Sequence, residues 1–211
     1  PKLLNSMKIG ADRIQKIVVS LRTFSRMDEA EVKDVDIHDG IESTLLILKH
    51  RLKAKCDHVG IETIKEYGKL PNLECYAGQL NQVFMNLLSN AIDALESRIE
   101  NDYCFKPTIR IKTELVKGQL SEDGIWTQDK VVISIADNGI GMNETVKQRL
   151  FNPFFTTKSV GKGTGMGLAI SYQIVVERHG GSLQCFSSPG EGTEFAIAIP
   201  VKPISCQLSL V

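Results

Sequence analysis

Residues 77–99 constrain this chain more than any other stretch. Leu80, Val83, Phe84, Leu87, Leu88, Ala91 and Leu95 recur at intervals of three and four. That spacing puts a wide apolar stripe along a helix of about six turns. So broad a stripe has to be covered, and the neighbouring segments supply the cover. Residues 39–53 repeat the helical spacing with Ile41, Leu45, Leu48 and Leu52. Residues 58–66 alternate like a strand, and Leu73–Tyr76 reads as a second, shorter one. Strands are expected at 108–116 and 130–136, separated by a polar loop at 117–129. A helix over 165–178 and closing strands at 181–187 and 193–199 complete the series. The mixed order, ending on adjacent strands, predicts an α+β fold: a two-layer α/β sandwich with a mixed sheet and helices on one face.

Ahead of this unit, Ile14, Ile17, Val18, Leu21 and Phe24 place an amphipathic helix over 3–27. The polar run that follows, DEAEVKDVD, reads as a linker. The expected organisation is an appended helix at 1–27, a linker at 28–35, the main domain at 36–201 and a tail at 202–211. The 211 residues suffice for one sizeable core plus such an appendage. Lys+Arg and Asp+Glu are both 25, a balance that excludes broad electrostatic capture of nucleic acid or anionic membrane. No apolar run approaches the ~20 residues of a bilayer span, and no signal peptide opens the chain. Five scattered cysteines without a CxxC pair point to a reduced, cytoplasmic setting rather than to zinc or a disulfide framework. The chain opens on Pro1 rather than Met, which is read as the mark of an excised fragment.

Three places carry possible chemistry. Asn86 and Asn90 stand one turn apart on the long helix, with Asp93 a turn further. Amide oxygens so placed suit a hard cation such as Mg²⁺, which keeps phosphates in its shell. Taken alone, they read first as a solvated polar face. Asp137-Asn138-Gly139-Ile140-Gly141-Met142 follows an apolar strand directly. It offers a carboxylate acceptor beside backbone that bends sharply, suited to an exocyclic amine such as that of adenine, or simply a turn. Gly161-Lys162-Gly163-Thr164-Gly165-Met166-Gly167 opens a helix starting near Leu168. Its spacing is neither that of a P-loop nor that of a dinucleotide fingerprint, yet its backbone N–H groups suit an anion. Between the last two lies FNPFFTTK, residues 151–158. This reads as a lid over about 143–162, tethered by Phe154 and Phe155. Thr156, Thr157 and Lys158 on it are within reach of phosphate oxygens.

NLLSNA (86–91), DNGIGM (137–142), FNPFFTTK (151–158) and GKGTGMGLAIS (161–171) resemble, in order, the N, G1, F and G2 boxes of sensor histidine kinases. The resemblance covers about residues 36–200. It implies the two-layer fold shared by gyrase, the heat-shock chaperone, histidine kinases and mismatch-repair ATPases, with ATP and Mg²⁺ as cofactors. It makes Asn90, with Asn86 beside it, the metal ligand, and Asp137 the adenine reader in a pocket shaped by Gly139 and Gly141. Gly163, Gly165 and Gly167 let the lid fold over the triphosphate. The implied ATP-binding set further takes in Asp93, Ile140, Met142, Phe155, Thr156, Thr157, Lys158, Gly161, Lys162, Thr164, Met166, Leu168 and Thr193. Asn90, Asn86 and Lys158 stand as the catalytic candidates.

RIQKIVVSLRTFSR (13–26) resembles the end of the second helix of the dimerisation and phosphoacceptor hairpin. The implied activity is protein-histidine kinase. The γ-phosphate would pass to a histidine on a hairpin not complete in this chain, and then to a response-regulator receiver domain, within a homodimeric, membrane-bound or soluble parent. None of the four histidines reads as that acceptor; His179 is expected at a helix end, where positive charge is favoured. Two other readings stay open: an ATPase of the same superfamily and a non-catalytic nucleotide sensor. Against hydrolysis stands Asn86, at the position where such an ATPase carries a glutamate base.

Overall fold

The computed structural model describes residues 31–54, 60–99, 104–119, 128–158 and 165–202. The appended helix at 1–27, most of the tail, and Gly161, Lys162, Gly163 and Thr164 lie outside them. The long helix forms as its spacing predicts, over Ala77–Ile99 (α2). A shorter helix, Ile37–Leu52 (α1), packs beside it. Asp36 caps α1, its carboxylate accepting the His38 N–H at 2.9 Å, while Lys49, His50 and Arg51 sit in its last turn, where the helix dipole favours cations.

The stripe of α2 lies against a five-stranded mixed sheet. In chain order the strands are β2 (Glu62–Tyr67), β4 (Thr108–Val116), β5 (Lys130–Asp137), β6 (Ser182–Ser188) and β7 (Gly192–Pro200). Their order across the sheet is β2-β4-β5-β7-β6, with only β2 and β4 parallel. Inward residues alternate as strand geometry requires: Ile109 and Ile111, then Val131, Ile133 and Ile135, then Phe195, Ile197 and Ile199. They meet Phe84, Leu88, Ile92 and Leu95 of α2 in one continuous core. Each such buried side chain contributes about 1.5–3 kcal/mol. The opposite face carries polar pairs, among them Lys112–Glu114 at 2.6 Å and Ser134 with Glu194. Among the described residues no helix is long and apolar enough to cross a membrane.

Three expectations need correction. The run read as a linker contains a strand: Lys33–Val35 (β1) pairs antiparallel with Leu73–Cys75 (β3), Val35 opposite Leu73. The fold therefore begins before residue 36. After the single turn Glu144–Lys147 (α3), the helix expected over 165–178 is regular only over Gly167–Tyr172 (α4), then widens to a π-helix over Gln173–Arg178. The widened turn frees two carbonyls: that of Ile174 meets His179 Nδ1 at 2.8 Å, and that of Val175 accepts the Gly181 N–H at 2.9 Å. His179 is then no cation at a helix end. Its Nε2 accepts the Tyr76 N–H at 3.1 Å, so Nδ1 carries the proton and donates to Ile174. Burial pushes its pKa down, the bond to the Ile174 carbonyl only partly opposing.

Candidate functional site

The α2 helix acts as a ruler for the site. Asn86, Asn90, Ala94 and Arg98 recur every four residues along it, over about 18 Å. Between them they meet three loops and the start of a helix. Asn86 Nδ2 donates to the Gly167 carbonyl at 2.9 Å and to Ser171 Oγ at 3.2 Å, tying down the start of α4. Asn90 Oδ1 accepts from Lys158 Nζ at 2.8 Å. Ala94 backs the loop after β5 so closely that a methyl group on Gly139 would come within 2.9 Å of it. Arg98 Nη1 donates to the carbonyls of Asn138 (2.7 Å), Gly139 (3.1 Å) and Gly190 (2.9 Å), its guanidinium 4.3 Å from the centre of the Phe105 ring.

Asp137 ends β5, opposite Thr193 of β7. Its Oδ1 accepts the Gly139 N–H at 2.8 Å. Burial pushes the carboxyl up to about 6, the backbone bonds from Gly139 and Thr193 pulling it back only in part. Gly141 follows at φ +66°, and a side chain there would lie 2.0 Å from the Ser188 carbonyl oxygen. Only glycine fits. Ser187 braces the same corner, accepting the Met142 N–H at 2.9 Å and donating to the Gly192 carbonyl at 2.7 Å, with Thr193 Oγ1 3.0 Å away. Ile140 is exposed at this rim, whereas Met142 and Leu168 pack against the core.

Charge gathers on the other side of Asn90. Lys158 Nζ also holds one oxygen of Asp93. Arg51, from the end of α1, donates to the other oxygen of Asp93 at 2.6 Å and to Glu96 at 2.5 Å. Burial works against ionising Asp93, but the bonds and charges of Lys158 and Arg51 outweigh it and hold the carboxyl below its ordinary value. Thr156 Oγ1 accepts the Lys158 N–H at 3.1 Å; Thr156 and Thr157 are otherwise exposed.

The expectation that Phe154 tethers the lid is wrong. Phe154 is 76% exposed, at φ +64°. The anchors are buried Leu150 and Phe151, whose ring lies 5.1 Å from that of Tyr172. Phe155 sits beneath the Arg149 guanidinium at 4.6 Å. Gly165, at φ +68°, presses against the Phe154 backbone so tightly that a methyl there would be 2.5 Å from it. The two ends of the segment between them are thus pinned together. Sequence reasoning missed Arg51, Arg98 and Ser187. Arg98 alone had a signal, since it continues the four-residue spacing of Asn86 and Asn90.

The fold is a two-layer mixed α/β domain in which one helix edge contacts the loops at one end of the sheet, and comparison with known proteins gives it a family. Residues 76–203, more than half of the chain, match the family described as histidine kinase-, DNA gyrase B- and HSP90-like ATPase. The chain belongs to that family. It is 30% identical over 193 residues to the signal transduction histidine-protein kinase AtoS of Escherichia coli (strain K12), covering 91% of this chain and 28% of AtoS. It is 33% identical over 205 residues to the sensor kinase CckA of Brucella abortus (strain 2308), covering 95% of this chain and 20% of CckA. Among solved structures, the catalytic domain of histidine kinase ThkA, in a nucleotide-free form, superposes with a TM-score of 0.64 at 26% identity. That match covers 82% of this chain and 97% of the ThkA domain. The chain therefore spans under a third of the two curated relatives and has the fold of a histidine kinase catalytic domain.

Proposed function

We propose that this domain binds Mg-ATP and transfers its γ-phosphoryl group to a histidine on a dimerisation hairpin, for onward passage to a response-regulator receiver domain. The observation that carries the reading is the row Asn86, Asn90, Ala94 and Arg98. It sets an adenine-type acceptor at one end of a helix edge and a cation-accepting amide near the other. Beyond its bonds from Gly139 and Thr193, the Asp137 carboxylate keeps lone pairs that can accept from an exocyclic amine. Asn90 Oδ1 already accepts an ammonium, and so suits a metal ion. Among the described residues no group of three or more His, Cys, Asp or Glu stands ready to hold a metal unaided. The chemistry of the donors thus fits a cation that brings phosphate oxygens with it.

Mg-ATP, when bound, supplies the transferable phosphoryl group and a divalent charge to offset the charge that develops on it. This chain's residues orient and neutralise. Asp137 selects the base, Asn90 fixes the cation, and Lys158, bonded to Asn90, stands at the phosphate end. Asn86 directs its NH₂ group at Gly167 and Ser171 and offers no base to activate water, which favours transfer over hydrolysis.

The test pairs binding with transfer. Asn90→Ala should abolish Mg-dependent ATP binding. With γ-labelled ATP and a complete hairpin supplied separately, wild type should place acid-labile, alkali-stable label on the hairpin, and Asn90→Ala should place none. Undiminished Mg-ATP affinity in Asn90→Ala would overturn the site; hydrolysis without hairpin label would favour the ATPase reading.

A further inference from the structure

Arg51 lies outside every sequence motif, at the end of a helix whose other side faces the core. It nonetheless contacts the site through a chain of charges. Its guanidinium holds Asp93 Oδ1 at 2.6 Å and Glu96 at 2.5 Å. The other oxygen of Asp93 holds Lys158, and Lys158 reaches Asn90 Oδ1 at 2.8 Å. We infer that Arg51 is a positioning residue for the phosphate end of the site: by occupying Glu96 and one oxygen of Asp93, it leaves Lys158 a single carboxylate partner and directs its ammonium to Asn90. The inference rests on the nucleotide reading proposed above and deepens it.

Asp93 and Glu96 are three residues apart on α2 and so share one side of it. Without a cation between them they repel, and both become available to the Lys158 ammonium. Lysine is a flexible point charge that follows the stronger negative field, whereas the rigid guanidinium of Arg51 donates from one nitrogen to both carboxylates. With Arg51 in place the four side chains sum to zero charge, and Asp93 is divided between two donors. All four are only about one-quarter to one-third exposed, at 24% for Arg51, 32% for Asp93, 34% for Glu96 and 33% for Lys158. Solvent therefore screens the arrangement less than it would a surface pair. Remove Arg51, and Lys158 should be drawn toward Glu96, away from Asn90 and the phosphates.

Titrations of Mg-ATP and of adenosine test this with the full chain. Adenosine engages the Asp137 end only. Arg51→Gln should weaken Mg-ATP binding about tenfold while adenosine affinity holds. Arg51→Lys should recover part of the loss, since its ammonium keeps the positive charge but not the planar, delocalised guanidinium. In a Lys158→Met background, Arg51→Gln should add little, because the group it positions is gone. Equal losses for Mg-ATP and adenosine, an undiminished effect in Lys158→Met, or no effect of Arg51→Gln at all would each overturn the inference. Failure of wild type to bind Mg-ATP would instead overturn the nucleotide reading itself.

Discussion

Replacing Asp137 with Asn should stabilise the unliganded protein at neutral pH while weakening its hold on adenine. Burial raises the carboxyl from its ordinary 3.8 to about 6, which corresponds to about 3 kcal/mol in favour of the neutral form. The group is only half-buried, so solvent screening reduces this to about 1–3 kcal/mol. The unfolded chain ionises Asp137 near pH 4 and the folded chain near pH 6. Between those values the fold holds the extra proton, so stability falls as pH rises through the window and stays level above it. An Asn side chain keeps an oxygen for the Gly139 N–H and carries no charge to bury. Urea unfolding of wild type and Asp137→Asn at pH 4, 5, 6, 7 and 8 should show the variant ahead by its full margin at pH 7–8, the gap closing toward pH 4. Adenosine, which has no phosphate to titrate, should bind the variant more weakly. A variant less stable than wild type at pH 7, or a margin independent of pH, would show that burial does not strain this carboxylate.

Two further expectations concern the frame. Arg98→Ala should cost about 2–3 kcal/mol by stranding the carbonyls of Asn138, Gly139 and Gly190; urea melts should register the loss, adenosine affinity should fall with it, and Arg98→Lys should recover part of both. Burial holds His179 neutral, the bond to Ile174 only partly opposing, so the unfolded chain takes up a proton that the fold refuses as pH drops below about 6.5. The contribution of His179 to stability should therefore fall from pH 7 to 5, so the advantage of wild type over His179→Gln should narrow over that range.

The long periodic elements were legible in the sequence because burial and spacing agree in them. The α2 stripe and strands β4 to β7 fall within a residue or two of where alternation puts them. The polar KDV of β1 was not, because backbone pairing with β3 holds it, and no apolar pattern announces such pairing. The π-turn was hidden for a related reason: it depends on His179 and Gly181 capturing carbonyls, a tertiary event. In the site, Asn90, Asp137 and Lys158 carry their chemistry in their residue types. Arg51 and Arg98 look like ordinary surface cations until the fold shows which carbonyls and carboxylates they reach. Phe154 misled for the opposite reason, since an aromatic in an apolar run looks buried until its positive φ turns it outward.

The position of β7 has a consequence for how the chain is made. It is the last described strand in the sequence, yet it lies inside the sheet, between β5 and β6. A ribosome delivers β5 first, with the edge from Lys130 to Asp137 open. The strand that closes this edge ends roughly sixty residues later, which is about 3–12 s of synthesis at typical rates. Until then β5 presents unpaired N–H and C=O groups to any neighbouring nascent chain. Asp137 and Thr193 meet only when β7 docks, so the Asp137 corner and the closed sheet appear in the same event. Slowing translation before Gly192 should therefore lengthen the interval in which this protein is prone to mispairing, without altering the native state it eventually reaches.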